Sequence, residues 1–217
     1  MTLTLKGVRF AVIVAPHPDD EIIGAAALIA ALRRQGSTVR VIIVSDGAAS
    51  HPTSLSWPRA RLVAARRRES LHGLARLGVR SDDVTFLGLP DGELSAGLER
   101  CRYTIGRAIA RNRRIDLLVG PTLSDAHPDH RAVADALDMV RSCPRYLTYR
   151  VWPPQGRVTA PMRSIVMPSG AAAKRSLIRS HRTQLGAITD DPKGFTIAPH
   201  ELRAFAHPVE RFVERRR

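Results

Sequence analysis

The sequence predicts an α/β fold built on a mostly parallel sheet, and three observations lead there. Between Phe10 and Arg141, short aliphatic runs alternate with helical patterns, and strands joined by crossover helices pack as a parallel sheet. The segments after the runs each include aspartate, and two of them carry an HPD tripeptide. At 217 residues, with 44% hydrophobic and 25% charged side chains, the chain has the length and balance of one globular domain with a sizeable core.

The first strand is Phe10 to Ala15, apolar throughout as a strand covered on both faces should be. An alanine-rich helix follows from Glu21 to Arg34, its acidic start matching the positive end of the helix dipole. Val39 to Val44 gives the second strand, Arg59 to Leu77 the second helix and Val84 to Leu87 the third strand. Leu98 to Asn112 places Ile105, Ala108 and Ile109 at helical spacing, and Ile115 to Val119 is the fourth strand. After a helix from Asp129 to about Arg141, YLTYRVWPP and RVTAPMRSIVMP alternate and end in prolines. That pattern suits strands added at a sheet edge or a small β excursion. A last long helix is expected from about Ala171 to Leu185. The tail APHELRAFAHPVERFVERRR reads as a short helix running into a basic, frayed terminus over 212–217. No repeat or linker divides the chain, so residues 1–217 are expected to form one domain.

Lys+Arg number 34 against 20 Asp+Glu, a net charge of +14, and only Lys6, Lys174 and Lys193 among the basic residues are lysines. A balance this basic admits nucleic acid, anionic membranes or acidic small substrates as partners. Codon bias in a GC-rich genome explains the arginines equally well. No nucleic-acid module is recognisable, aromatic residues are 5%, and the arginines are spread along the chain, so polyanion binding is the minor alternative and specific nucleic-acid binding is not expected. Cys101 and Cys143 have no CxxC spacing, which argues against a disulfide framework or a thiolate zinc site. No run reaches the roughly 18 apolar residues of a membrane span, and the amino-terminal run stops at Pro16, so a cytoplasmic protein is expected.

The chemistry concentrates after the strands: PHPDDE after the first, SDGAASH after the second, LPDGE after the third and GPTLSDAHPDH after the fourth. Open α/β sheets bind ligands beyond the carboxyl ends of their strands, so these four loops should converge on one crevice. His17 and Asp20 stand three apart at one strand-to-helix turn, His127 and His130 three apart at another. Two imidazoles and one carboxylate form a common hydrolytic zinc set with a position left open for water, and His17, Asp20 and His130 fit it. A lone histidine is usually a packing residue, but two HPD tripeptides at two strand ends are not a lone histidine. Helix capping accounts for one acidic residue among Asp19, Asp20 and Glu21, not for three in a row.

HPDDE at His17 to Glu21 and HPDH at His127 to His130 resemble the two signature motifs of the LmbE-like, or PIG-L, zinc-dependent N-deacetylases. The resemblance continues through Arg66 and Glu69 before Leu77 to Val79, FLGLPDG from Phe86 to Gly92, and SHRTQ from Ser180 to Gln184. It implies a Rossmann-like three-layer sandwich with its site at the carboxyl ends of the strands, and hydrolysis of an N-acetyl group from an amino sugar or sugar conjugate. It also implies metal ligands His17, Asp20 and His130, with Asp19 as general base and His127 stabilising the oxyanion. Zinc is the implied ion, though a His2Asp set accepts other divalent metals. The expected division has His127 charged and Asp129 keeping it so, with either Asp19 or His127 protonating the leaving amine. Arg66 and Asp91 are expected at the substrate; against this, Arg66 lies on an arginine-rich helix and PDG is an ordinary turn. The partner is then a small N-acetylated sugar, anionic if the arginines line the rim, and a homo-oligomer is compatible with the sequence. An amidase for a larger sugar-thiol amide would use the same metal site.

Overall fold

The run FAVIVA forms β1 (Phe10–Ala15), the third strand of a seven-stranded sheet in a computed structural model that describes residues 1–112, 114–141, 143–156 and 160–216. The elements follow as α1 (Asp20–Arg34), β2 (Thr38–Ser45), α2 (Arg59–Arg76), β3 (Val84–Leu89), α3 (Leu98–Ala110), β4 (Leu117–Pro121), α4 (Pro128–Asp138), β5 (Arg145–Tyr149), β6 (Met162–Val166), α5 (Gly170–Ile178), α6 (Pro199–Phe205) and β7 (Val209–Arg216). Strand order is β3-β2-β1-β4-β5-β7-β6, with β1 to β5 parallel and β7 antiparallel to both neighbours. The α/β single domain expected from the alternation is therefore the one observed.

Two cores lie on the two faces of the sheet. Successive strand side chains point to opposite faces, so Ala11, Ile13 and Ala15 join the core under α1 and α5, while Val12 and Val14 join the core under α3 and α4. Both faces being covered explains why β1 needs no polar alternation. Helix α1 is buried almost all round because α2 and α5 pack on the side away from the sheet. Among the described residues no helix is long and apolar enough to cross a membrane.

Three expectations change in the second half. The helix expected from about Ala171 to Leu185 stops at Ile178, and Arg182–Gln184 form a separate 3-10 turn. Glu69 of α2 takes the Thr183 backbone N–H (3.0 Å) and hydroxyl (2.6 Å), holding this segment out of the helix. The expected frayed terminus is instead β7, slotted between β5 and β6. Its alternation buries Phe212 completely and aims Glu210 at α1, where the carboxylate accepts from the N–H groups of Ala27 (2.9 Å) and Leu28 (3.2 Å) and pairs with Lys174 of α5 at 2.8 Å. Of the two alternating segments, YLTYRVWPP supplies β5 and RVTAPMRSIVMP supplies β6; residues 157–159 of the latter, and residue 217 of the tail, lie outside the described residues.

Candidate active site

Neighbours β1 and β4 lead into helices on opposite faces of the sheet, α1 on one and α4 on the other. The chain therefore parts between their carboxyl ends, the place where open sheets form a ligand crevice. His17, Asp19 and Asp20 enter it from the β1–α1 turn, and His127, Asp129 and His130 from the β4–α4 turn. Asp91 arrives from the loop after β3.

Three donor atoms form a near-equilateral triangle. His17 Nδ1 and His130 Nε2 each stand 3.1 Å from Asp20 Oδ2 and 3.3 Å from one another. Ligands bonded at about 2.0–2.1 Å in a tetrahedron stand about 3.3 Å apart, so the triangle has the dimensions of one face of a zinc site. Each histidine has a carboxylate behind it, the arrangement that fixes tautomer and ring orientation in metal centres. His130 Nδ1 faces Asp125 Oδ2 at 3.2 Å; His17 Nε2 faces Asp91 Oδ1 at 3.1 Å and Asp129 Oδ2 at 3.5 Å. A second grouping of possible ligands, His17, His127 and Asp129, shares His17. It suits a metal less well, because Asp129 already accepts from the backbone N–H groups of Gly92 (2.8 Å) and Leu94 (3.1 Å), and His127 Nδ1 accepts from Asp129 N at 3.2 Å.

The site is a cage of opposed charges. Burial lowers both imidazoles, but the carboxylates of Asp129, Asp20 and Asp91 more than reverse this for His17, and those of Asp20 and Asp125 bring His130 up to about 9. Burial would raise Asp20, yet His130 and His17 hold it well below the ordinary carboxylate range. Asp19 differs: burial pushes it up to about 7 against the pull of Arg66, near the value that suits a base working at neutral pH.

Asp19 sits at φ 146°, a backbone region that non-glycine residues seldom occupy and that persists only when neighbours enforce it. Glu21 Oε2 accepts its N–H at 2.9 Å. Arg66 closes the clamp from α2, donating to Asp19 Oδ2 (3.2 Å), Pro18 O (2.8 Å) and Gly47 O (2.8 Å). Gly47 must lack a side chain, because a Cβ there would come within 2.6 Å of the guanidinium and its φ is +71°.

The other expected site residues line or back the same crevice. Arg66 does not point to solvent: it is 3% exposed, its Nη1 and Nη2 donate to Asp19 and the two carbonyls, and its Nε has no hydrogen-bond partner among the described residues. Asp91 turns its carboxylate to His17 and to the Ala49 N–H (2.9 Å). Burial, together with His17 and His130, lowers the His127 imidazole to about 4, with Asp20 and Asp129 pulling the other way, and Asp129 accepts from the backbone N–H groups of Gly92 and Leu94. Because His127 Nδ1 accepts from the backbone, its proton resides on Nε2.

Asp125, in the β4–α4 turn, backs the site. Fully buried, it accepts from His127 N through Oδ1 (3.0 Å) and from Val151 N (2.9 Å) and Trp152 N (3.2 Å) through Oδ2, besides facing His130. The apolar wall was unforeseen. A cavity of about 240 Å³ has His17, Asp19, Asp20, Arg66, Asp91 and His127 on one side. Ile23, Val151, Trp152, Phe195, Ile197 and Phe205 face them. Trp152 meets Phe205 and Phe195 edge-on, with ring centres 5.3 and 5.9 Å apart.

Residues 12–140 match the model of the family described as PIG-L: GlcNAc-PI de-N-acetylase. The chain belongs to the PIG-L family. The match spans both histidine turns, Arg66 and Asp91. A PIG-L chain of this length is also similar to 2'-N-acetylparomamine deacetylase of Streptomyces fradiae, 30% identical over 143 residues, which are 58% of this chain and 50% of that protein. It thus spans about half the length of that curated relative. Among solved structures, N,N'-diacetylchitobiose deacetylase from Pyrococcus horikoshii superposes with TM-score 0.68 at 24% identity, covering 83% of this chain and 72% of the other. The zinc-inhibited form of teicoplanin deacetylase Orf2 gives TM-score 0.63 at 17% identity, covering 95% and 98%. At these identities the structural likeness establishes the fold alone.

Proposed function

We propose that this chain is a metal-dependent N-deacetylase acting on an N-acetylated amino sugar or sugar conjugate, with zinc as the metal. One observation carries the reading: the His17–Asp20–His130 triangle opens into the same cavity as an Asp19 carboxylate clamped by Arg66. The names of the relatives point the same way. His17, Asp20 and His130 would hold the ion, which when bound polarises the acyl carbonyl and makes water a nucleophile at neutral pH.

Asp19 takes the proton of the attacking water, and the Arg66 clamp keeps its carboxylate aimed at the cavity. The His127 Nε2–H donates to the oxygen on which negative charge grows, a role that asks for a hydrogen-bond donor and not for a charged ring. With its single N–H committed there, His127 leaves the delivery of a proton to the departing amine to Asp19. Asp91, Asp125 and Asp129 orient the rings. The cavity, at about 240 Å³, lies below the roughly 300–1,000 Å³ of drug-sized ligand sites, which favours one N-acetylated ring over a large acyl group.

The test is acetate release from a panel of N-acetylated sugars by protein loaded with one equivalent of zinc. Asp19→Asn is expected to lower kcat by about 100-fold or more while retaining the metal. An inert zinc-loaded protein, or an Asp19→Asn variant of unchanged rate, would overturn the reading.

A further inference from the structure

Three acids follow one another at the start of α1, and the deacetylase reading uses two of them, Asp19 and Asp20. We propose that the third, Glu21, is the positioning residue for Asp19: its carboxylate holds the Pro18–Asp19 peptide in the orientation that lets two adjacent side chains enter one site. The deacetylase reading supplies the task of Asp19 on which this rests; the geometry stands without it.

Consecutive residues of a helix or a strand send their side chains about 100° or 180° apart. Asp19 and Asp20 nevertheless line the same cavity, and the φ of 146° at Asp19 is the backbone turn that brings them together. Asp19 is also the N-cap of α1, where an aspartate ordinarily accepts a hydrogen bond from the first turn. Its side chain makes no such bond. The carboxylate is thereby left to the cavity, and the unusual backbone must be held by other groups.

The Pro18–Asp19 peptide is gripped at both ends. Arg66 Nη2 donates to Pro18 O at 2.8 Å, and Glu21 Oε2 accepts from Asp19 N at 2.9 Å. With the acceptor removed, a buried N–H would lose its partner, which favours a rotation of the peptide that carries the Asp19 carboxylate away. Helix α2 supports both grips, because Arg66 and Ser70 lie one turn apart on its buried stripe and Ser70 sits beside the Glu21 carboxylate. Glu21 is fully buried and does not line the cavity, so it reaches the substrate only through Asp19. Packing alone would be served better by an apolar residue, since burying a carboxylate costs free energy.

The test compares Glu21→Gln, which keeps an oxygen to accept the Asp19 N–H, with Glu21→Met, which keeps the length and removes the acceptor. In the zinc-loaded protein Glu21→Met is expected to lower kcat for acetate release by about 10–100-fold, as displacement of a reacting group does, with KM altered by less than about twofold. Glu21→Gln should recover all but about threefold of that loss. Because Glu21 acts through Asp19, Asp19→Asn/Glu21→Met should be no slower than Asp19→Asn. Glu21→Ala takes the place of the methionine variant should that one not fold. An acceptor-less variant with the unmodified rate, a Glu21→Gln variant equally slow, or losses that multiply in the double variant would each overturn the proposal. Crystal structures read the same geometry without turnover: Asp19 should leave its positive φ in Glu21→Met and keep it in Glu21→Gln, and an Asp19 unmoved in both would overturn the role of Glu21. No acetate from any sugar with the unmodified zinc-loaded protein would overturn the deacetylase reading alone, and the two crystal structures would then decide for Glu21.

Discussion

The Asp125 carboxylate faces the His130 imidazole and accepts from three backbone N–H groups on two segments. It ties His130 to the turn bearing His127 and to the aromatic wall, so one substitution should disturb both metal and substrate. Asp125→Asn keeps the volume but removes the charge; zinc affinity is expected to fall by about 10–100-fold in a chelator competition. An unchanged affinity would make Asp125 a loop fastener only. Such second partners were hidden from the sequence because they lie 26 and 27 residues away from Asp125. The histidines and Asp19–Asp20 were readable because their spacing is local. Arg66 was half readable: Leu62, Arg66, Ser70 and Gly73 are buried at helical spacing along one stripe of α2, a pattern obscured by the arginines on the other faces.

At the scale of elements, the first four strands and their helices were legible because burial on both faces writes itself as uninterrupted aliphatic runs. The second half was not, because its order depends on partners distant in sequence: Glu69 fixes the turn at Thr183, and β5 and β6 give β7 its place. The same packing makes Gly24 of α1 exacting. A Cβ there would run into the ring of Tyr149, which is fully buried and anchored by its hydroxyl donating to Val14 O at 2.9 Å. Alanine gains about 1 kcal/mol in helix propensity over glycine, whereas overpacking costs about 1–3 kcal/mol. Gly24→Ala is therefore expected to be net destabilising in chemical denaturation, and a more stable variant would show that α1 can slide away from β5.

For the whole molecule, the +14 charge is carried by a basic exterior around a site whose acids are buried. Asp19, Asp20, Glu21, Asp125 and Asp129 are each 6% exposed or less, so the net charge says little about the chemistry within. A divalent ion that bridges the β1–α1 and β4–α4 turns should stabilise the entire fold. With free zinc at about 100 times its Kd the linkage gain is about 2.7 kcal/mol, which for a domain of this size raises Tm by about 5–10 °C. Calorimetric scans of stripped and zinc-loaded protein measure it. Equal melting points would mean that the triangle does not hold the ion in the folded state.

The position of β7 also sets an order of events in time. During synthesis β6 leaves the ribosome before β7 exists, yet in the sheet it reaches β5 only through β7. The midsection of α1, a few residues beyond Asp20, likewise waits for Glu210 to reach Ala27 and Leu28. Strand pairing at the far side of the sheet and the contact of Glu210 with α1 thus both wait for the same carboxyl-terminal strand.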